Sequence, residues 1–175
     1  MGGEVEKINA TMRTLGADIE VEDALVATMA YKSGAIGNLE VTTAARPDDF
    51  EASLSIVGSE GLAQIGGIAV NELQVFTPNP SECAANSEDF VGIKGHGAVY
   101  GYGHTDMYSD IAVFFRDKSS YPVDRNDCLG TLKLLHAFYR SDETGGWVDV
   151  DSDEQSARLG RDNDEVSNLY RTPAP

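Results

Sequence analysis

The chain has 175 residues, 41% of them apolar, enough to bury one respectable core, so a single domain with a tail is the default organisation. Twenty-nine acidic residues against thirteen basic ones leave a net charge of −16, which argues against nucleic acid or an anionic membrane surface as a partner. No apolar run approaches the roughly 18 residues of a membrane span and no leader segment is visible, so a cytoplasmic protein is expected.

The first seventy-six residues read as strands. Ile8, Ala10 and Met12 alternate with polar neighbours, as in one half-buried strand. Residues 24–31, ALVATMAY, form a second, and Lys32-Ser33-Gly34 turns it into the third, AIGNLEVTTAA, which ends at Arg46 before Pro47. FEASLSIVG turns through Gly58-Ser59-Glu60-Gly61 into LAQIGG, and NELQVFT supplies a sixth strand. Hairpin follows hairpin with no helix long enough for a crossover, so the fold class is α+β, with an open, mainly antiparallel sheet.

Residues 77–103 show no periodicity and are rich in Gly, Ser, Asn and Pro; a loop of this length is either a ligand-contacting or a surface segment. A helix is predicted from Thr105 to Asp117, with Met107, Ile111, Phe114 and Phe115 on its apolar face and His104 at its N-terminus. Free backbone N–H groups and the helix dipole favour an anion there. A second helix starts at Asp124, with Asp127 completing a carboxylate capping box, and stops at Gly145-Gly146. Its predicted core face is Cys128, Leu132, Leu135 and Tyr139, and His136 beside it reads as structural. Trp147 to Val150 makes a short last strand, and an acidic tail follows from Asp151, with one helical turn expected around Gln155 to Leu159 and a frayed end.

Several motifs fail on inspection. Gly95 and Gly97 begin a GxGxxG pattern, yet Tyr100 occupies the third glycine's place and no βαβ unit surrounds it. Asp149, Asp151 and Asp153 open like a calcium loop, but Glu154 and Gly160 stand where glycine and glutamate are required, so no metal site is expected. Cys83 and Cys128 are too few for a disulfide scaffold or a zinc site. The lysine-poor, carboxylate-rich surface resembles that of proteins from salt-loving cells, where ions screen self-repulsion. The melting temperature is therefore expected to rise between low salt and molar KCl; an unchanged value removes the halophilic reading.

The runs EVEDALVATMAYKSGAIGNLEVTTAARP, IVGSEGLAQIGG, GHTDMYSDIAVFF, PVD and LGTLKLLHAFYRSDETGGWV resemble, together and in order, the C-terminal domain of the Gfo/Idh/MocA oxidoreductases over about residues 3–150. The resemblance implies an open antiparallel sheet with helices packed on one face, used for substrate binding and oligomerisation, with residues 151–175 as an acidic tail. It also implies an N-terminal Rossmann domain holding NAD or NADP, a lysine in a Glu-Lys-Pro motif that assists hydride transfer on a sugar, polyol or nucleotide-sugar, and a His-x-x-Asp pair on the helix that opens the second half. This sequence contains none of the three. A fragment without cofactor binding or catalysis of its own is therefore expected, with a homodimer or tetramer formed through the sheet.

By position within the resemblance, His104 is the first candidate for a substrate contact, the alternative being a helix-capping histidine. Tyr108 lies beside it off the apolar stripe. Arg46 is a candidate for an anionic substrate group, the alternative being an ion pair with Asp48 or Asp49. No residue is assigned as catalytic, cofactor-binding or metal-ligating. The competing function is a free-standing, non-catalytic binding or assembly module that dimerises through its sheet.

Overall fold

The computed structural model describes residues 3–47, 51–87, 101, 103–118, 120–121 and 123–161. The elements run β1 (Val5–Arg13), β2 (Ala24–Tyr31), β3 (Ile36–Thr42), β4 (Leu54–Gly58), β5 (Gly61–Gly66), β6 (Glu72–Phe76), α1 (Glu82–Ala85), α2 (Gly103–Asp117), α3 (Arg125–Thr144) and β7 (Val148–Asp149). They fall into two compact units, Met1–Ala45 with Val123–Pro175 and Arg46–Pro122. The fold is α+β with open antiparallel sheets, as the hairpin order predicts, but the strands divide into two sheets, β3-β2-β1-β7 and β4-β5-β6.

In the first unit the period-2 pattern of β1 places Ile8, Ala10 and Met12 inside, each at most 5% exposed. Register puts Ile8 opposite Met29, Ala10 opposite Ala27 and Met12 opposite Leu25, so one face of the sheet is apolar. Ala137 and Phe138 of α3, with Val148 and Val150, complete the core. The other face carries Asn9 opposite Thr28, Thr11 opposite Val26, and Val26 opposite Glu40 on β3. Val26 is 60% exposed on that face.

The N-terminus of α3 forms as its sequence dictates. The Asp124 carboxylate accepts from the backbone N–H of Asn126 at 2.7 Å and of Asp127 at 2.9 Å, and Asp127 accepts in return from the Asp124 N–H. Gly145 ends the helix in the left-handed region, φ 68°, its N–H donating to the Ser141 carbonyl. The buried stripe differs from the expected one. Leu134, Ala137, Phe138 and Ser141 face the core and Tyr139 packs against it as expected, whereas Cys128, Leu132 and Leu135 are exposed; Cys128 is thus not a core residue.

Ser141 explains the shift. β7 pairs with β1 only at Lys7 and Ile8. Beyond that point the same edge of β1 is completed by side chains: the Ala10 N–H donates to Ser141 Oγ at 2.8 Å and the Met12 N–H to Asp142 at 2.9 Å. Ser141 Oγ itself donates to the Gly146 carbonyl at 2.6 Å. A buried N–H left without an acceptor costs about 1–3 kcal/mol, so a polar residue at position 141 serves the core better than an apolar one.

The second unit holds β4 to β6, α1 and α2. α1 lies inside the stretch expected to lack secondary structure, while the glycine-rich run around His96 falls outside the described residues. In the first unit, residues 151–161 form bends and turns instead of the expected helical turn. Ser156, Arg158 and Arg140 nevertheless bind them to α3.

Candidate functional site

α2 begins two residues earlier than predicted, which makes His104 its second residue. Tyr108, one turn on, shares its face and is 67% exposed. The structure therefore brings these two candidates together at one helix end, on the solvent side. The apolar stripe of α2 exists, but no residue of the helix is buried. Met107 and Phe114 are each 37% exposed, and Phe114 meets Phe115 and Tyr121 edge to face, at 5.2 and 6.1 Å between ring centres. The periodicity correctly marks an apolar face; it does not say what buries it.

Arg46 opens the second unit as an exposed residue joined to Pro47 by a cis peptide bond. β3 ends at Thr42, four residues earlier than the sequence suggested, so Arg46 lies in the connection to β4. Its expected partners Asp48 and Asp49 fall outside the described residues.

The first unit contains charged groups that sequence reading missed. Asp23, 2% exposed, accepts from three successive backbone N–H groups: Leu15 at 2.8 Å, Gly16 at 2.7 Å and Ala17 at 2.7 Å. Burial alone would raise its pKa; the three N–H donors outweigh burial and hold it below the ordinary 3.8. Arg158 pairs with Glu22 and, at 2.7 Å, with Asp142, while its guanidinium carbon stands 5.5 Å from the centre of the Tyr139 ring. Burial opposes the Arg158 charge, but bonding to Asp142 and attraction to both carboxylates raise its pKa above the usual guanidinium value. The Tyr139 hydroxyl is shifted upward by burial and then by the Glu22 carboxylate it meets. Arg158, Glu22, Asp142 and Tyr139 are bound to one another, and Asp23 to the backbone of the β1–β2 connection, arrangements that fix structure.

A groove of about 380 Å³ lies in the same unit between the start of β1 and α3, floored by Val5, Leu129, Gly130 and Leu134 and rimmed by Lys133 and Asp151. Lys32 bridges Glu4 at 2.7 Å and Asp151 at 2.8 Å at its edge. Among the described residues there is no cluster of three metal-ligating side chains, and no helix is long and apolar enough to cross a membrane. Every strand pairing among the described residues is antiparallel, and no βαβ unit occurs among them.

Residues 1–64 match the family model of the GFO/IDH/MocA C-terminal domain. No curated protein matches the chain. Among solved structures, the WlbA dehydrogenase from Bordetella pertussis, in complex with NADH and UDP-GlcNAcA, is 30% identical over 86% of this chain and 43% of its own, with a TM-score of 0.72. The WlbA dehydrogenase from Chromobacterium violaceum, with the same two ligands, is 28% identical over 87% of this chain and 42% of its own, with a TM-score of 0.67. GenD2 from gentamicin A biosynthesis, in complex with NAD, shares the fold at 22% identity over 86% and 43%, with a TM-score of 0.63. The chain spans less than half the length of each of these structures. Residues 1–64, from β1 to within β5, thus match the C-terminal domain of the Gfo/Idh/MocA oxidoreductases, and the open antiparallel sheets agree with that likeness.

Proposed function

We propose that residues 1–150 form the substrate-binding and oligomerisation domain of a cytoplasmic NAD(P)-dependent oxidoreductase acting on a sugar, polyol or nucleotide-sugar, with residues 151–175 as its acidic tail. The observation that carries this reading is the likeness to a dehydrogenase solved with NADH and UDP-GlcNAcA, at 30% identity over 86% of the chain. Cofactor binding and the hydride step belong to a Rossmann domain outside these residues, and this chain alone turns nothing over. His104 and Tyr108 supply the polar end of the substrate cleft: the helix start offers N–H groups and a positive dipole to a hydroxyl or phosphate, and Arg46 offers a guanidinium to an anionic group.

Calorimetric titration of the chain with UDP-GlcNAcA tests the assignment. Measurable binding is expected, weakened about tenfold or more by His104→Ala, the loss of one charge-assisted contact. An unaltered affinity takes His104 out of the site, and micromolar binding of NADH by this chain overturns the division of labour.

The open face of the first sheet, with Thr11, Val26, Thr28 and Asn38, is proposed as the surface that joins subunits. Light scattering is expected to give a dimer or tetramer, and a monodisperse monomer at high salt rules the assignment out. Oligomers that bind neither a sugar nor a nucleotide-sugar would favour the non-catalytic assembly module.

A further inference from the structure

The first half of α3 is uncovered. Residues 125–133 are all exposed, and the groove beside β1 runs along them. Gly130 lies on the floor of that groove, inside a 20-residue helix, where only proline is a poorer helix former. Nothing in the fold requires a glycine there. Its φ is not left-handed, and a Cβ added to it would meet no atom of the described residues within 4 Å. A helix glycine that neither backbone conformation nor internal packing uses lets a body outside the fold come close to the main chain.

Charge decides which body. Asp127 and Lys133 stand three positions before and after Gly130, each within about 60° of it around the helix. Two α3 helices crossing antiparallel on a two-fold axis at Gly130 bring every position before it against the equally distant position after it, the self-matching of an isologous contact. Asp127 then faces Lys133 of the partner subunit, and the pair occurs twice. At a net charge of −16 most faces of two copies repel one another, so a patch with its own counter-charge placed symmetrically about a glycine is matched to itself. Both charges are only loosely held within the chain: Lys133 is 51% exposed and 3.7 Å from Asp151, and the Asp127 carboxylate reaches the Asp124 N–H at 3.4 Å. We infer that the Gly130 face of α3 is a self-association surface, on which a second copy of this chain packs helix on helix. It lies on the side of the first sheet opposite the open face. A chain that uses both surfaces forms a tetramer, and one that uses either alone a dimer.

Sedimentation equilibrium of the full chain and its variants, at one fixed salt concentration, tests this. Gly130→Leu blocks the close crossing and is expected to halve the number of copies in the assembly. Its helix content by circular dichroism should hold, because leucine is the better helix former and its Cβ meets nothing in the fold. Lys133→Glu turns two attractions into two repulsions and is expected to weaken association about tenfold; adding Asp127→Lys restores opposite pairs and is expected to return the affinity to within about threefold of the parent. The helix start survives that second change, since the Asp124 carboxylate still accepts two N–H groups. A role in folding alone gives no such recovery. Val26→Arg, on the open sheet face, is expected to leave the α3 contact intact. A monomeric parent chain overturns the inference and gives the groove to a different partner; so does an assembly that Gly130→Leu leaves unchanged, or a double reversal that fails to recover. A dimer that Val26→Arg dissociates and Gly130→Leu does not overturns the α3 contact alone and leaves the sheet contact standing.

Discussion

Replacing Arg158 by leucine is expected to lower the unfolding free energy by about 3 kcal/mol, read as a shift in urea midpoint. The guanidinium faces two carboxylates whose side chains are only 9% and 8% exposed, Glu22 and Asp142. Removing it leaves both charges in poor contact with water. The loss stays near the lower end of what breaking a buried pair costs, because Asp142 keeps the Met12 N–H and Glu22 keeps the Tyr139 hydroxyl. Arg158→Lys is expected to recover only part of it, since one ammonium cannot present the planar fork that spans two carboxylates. A loss under about 1 kcal/mol for the leucine variant would mean that the triad is no stronger than a surface ion pair.

Asp23→Ala is the second large effect, about 3 kcal/mol near neutral pH, because three N–H donors in the β1–β2 connection lose a charged acceptor at once. The sign of its pH dependence follows from the lowered pKa. The folded carboxyl titrates below the ordinary 3.8, so its stabilisation is fully present above 3.8 and is lost as pH falls through the folded value. Measured against the isosteric Asp23→Asn, the parent chain should therefore lead at pH 5 and lose that lead steadily toward pH 2. A difference that does not change over this range would show that the carboxylate charge is not what the three N–H groups recognise.

The strands and helix ends were legible where local chemistry decides them. The bounds of β2 follow from its apolar run and the Lys32-Ser33-Gly34 turn, and both ends of α3 follow from the carboxylate capping box and the left-handed glycine. What stayed hidden depends on distant partners. A period of two says which residues share a face but not which strands pair, so two sheets read as one. On α3 the larger apolar residues Leu132 and Leu135 suggest the core stripe, yet the buried polar position 141 serves β1 with a serine hydroxyl. Asp23 sits in the acidic run DIEVED and Arg158 in an acidic tail, where composition suggests solvated charge. Their burial comes from contacts across the fold, in Arg158's case with Glu22, 136 residues away. Of the candidate site, the helix was legible to within two residues at its start, which puts His104 and Tyr108 one turn apart on it. Arg46 was read as the end of a strand that stops four residues before it.

The way α3 completes the edge of β1 also bears on how the chain emerges from the ribosome. The Ala10 amide finds its acceptor 131 residues later, at Ser141, and β7 arrives later still. At about 5–20 residues per second, the open edge of β1 must wait on the order of ten seconds for its partners, with the whole second unit synthesised in between. Until then an apolar strand presents unpaired backbone groups along one side, the geometry that invites pairing with another nascent chain. Expression yield should therefore respond to the speed of translation through residues 123–150 more than to changes of similar size in the second unit.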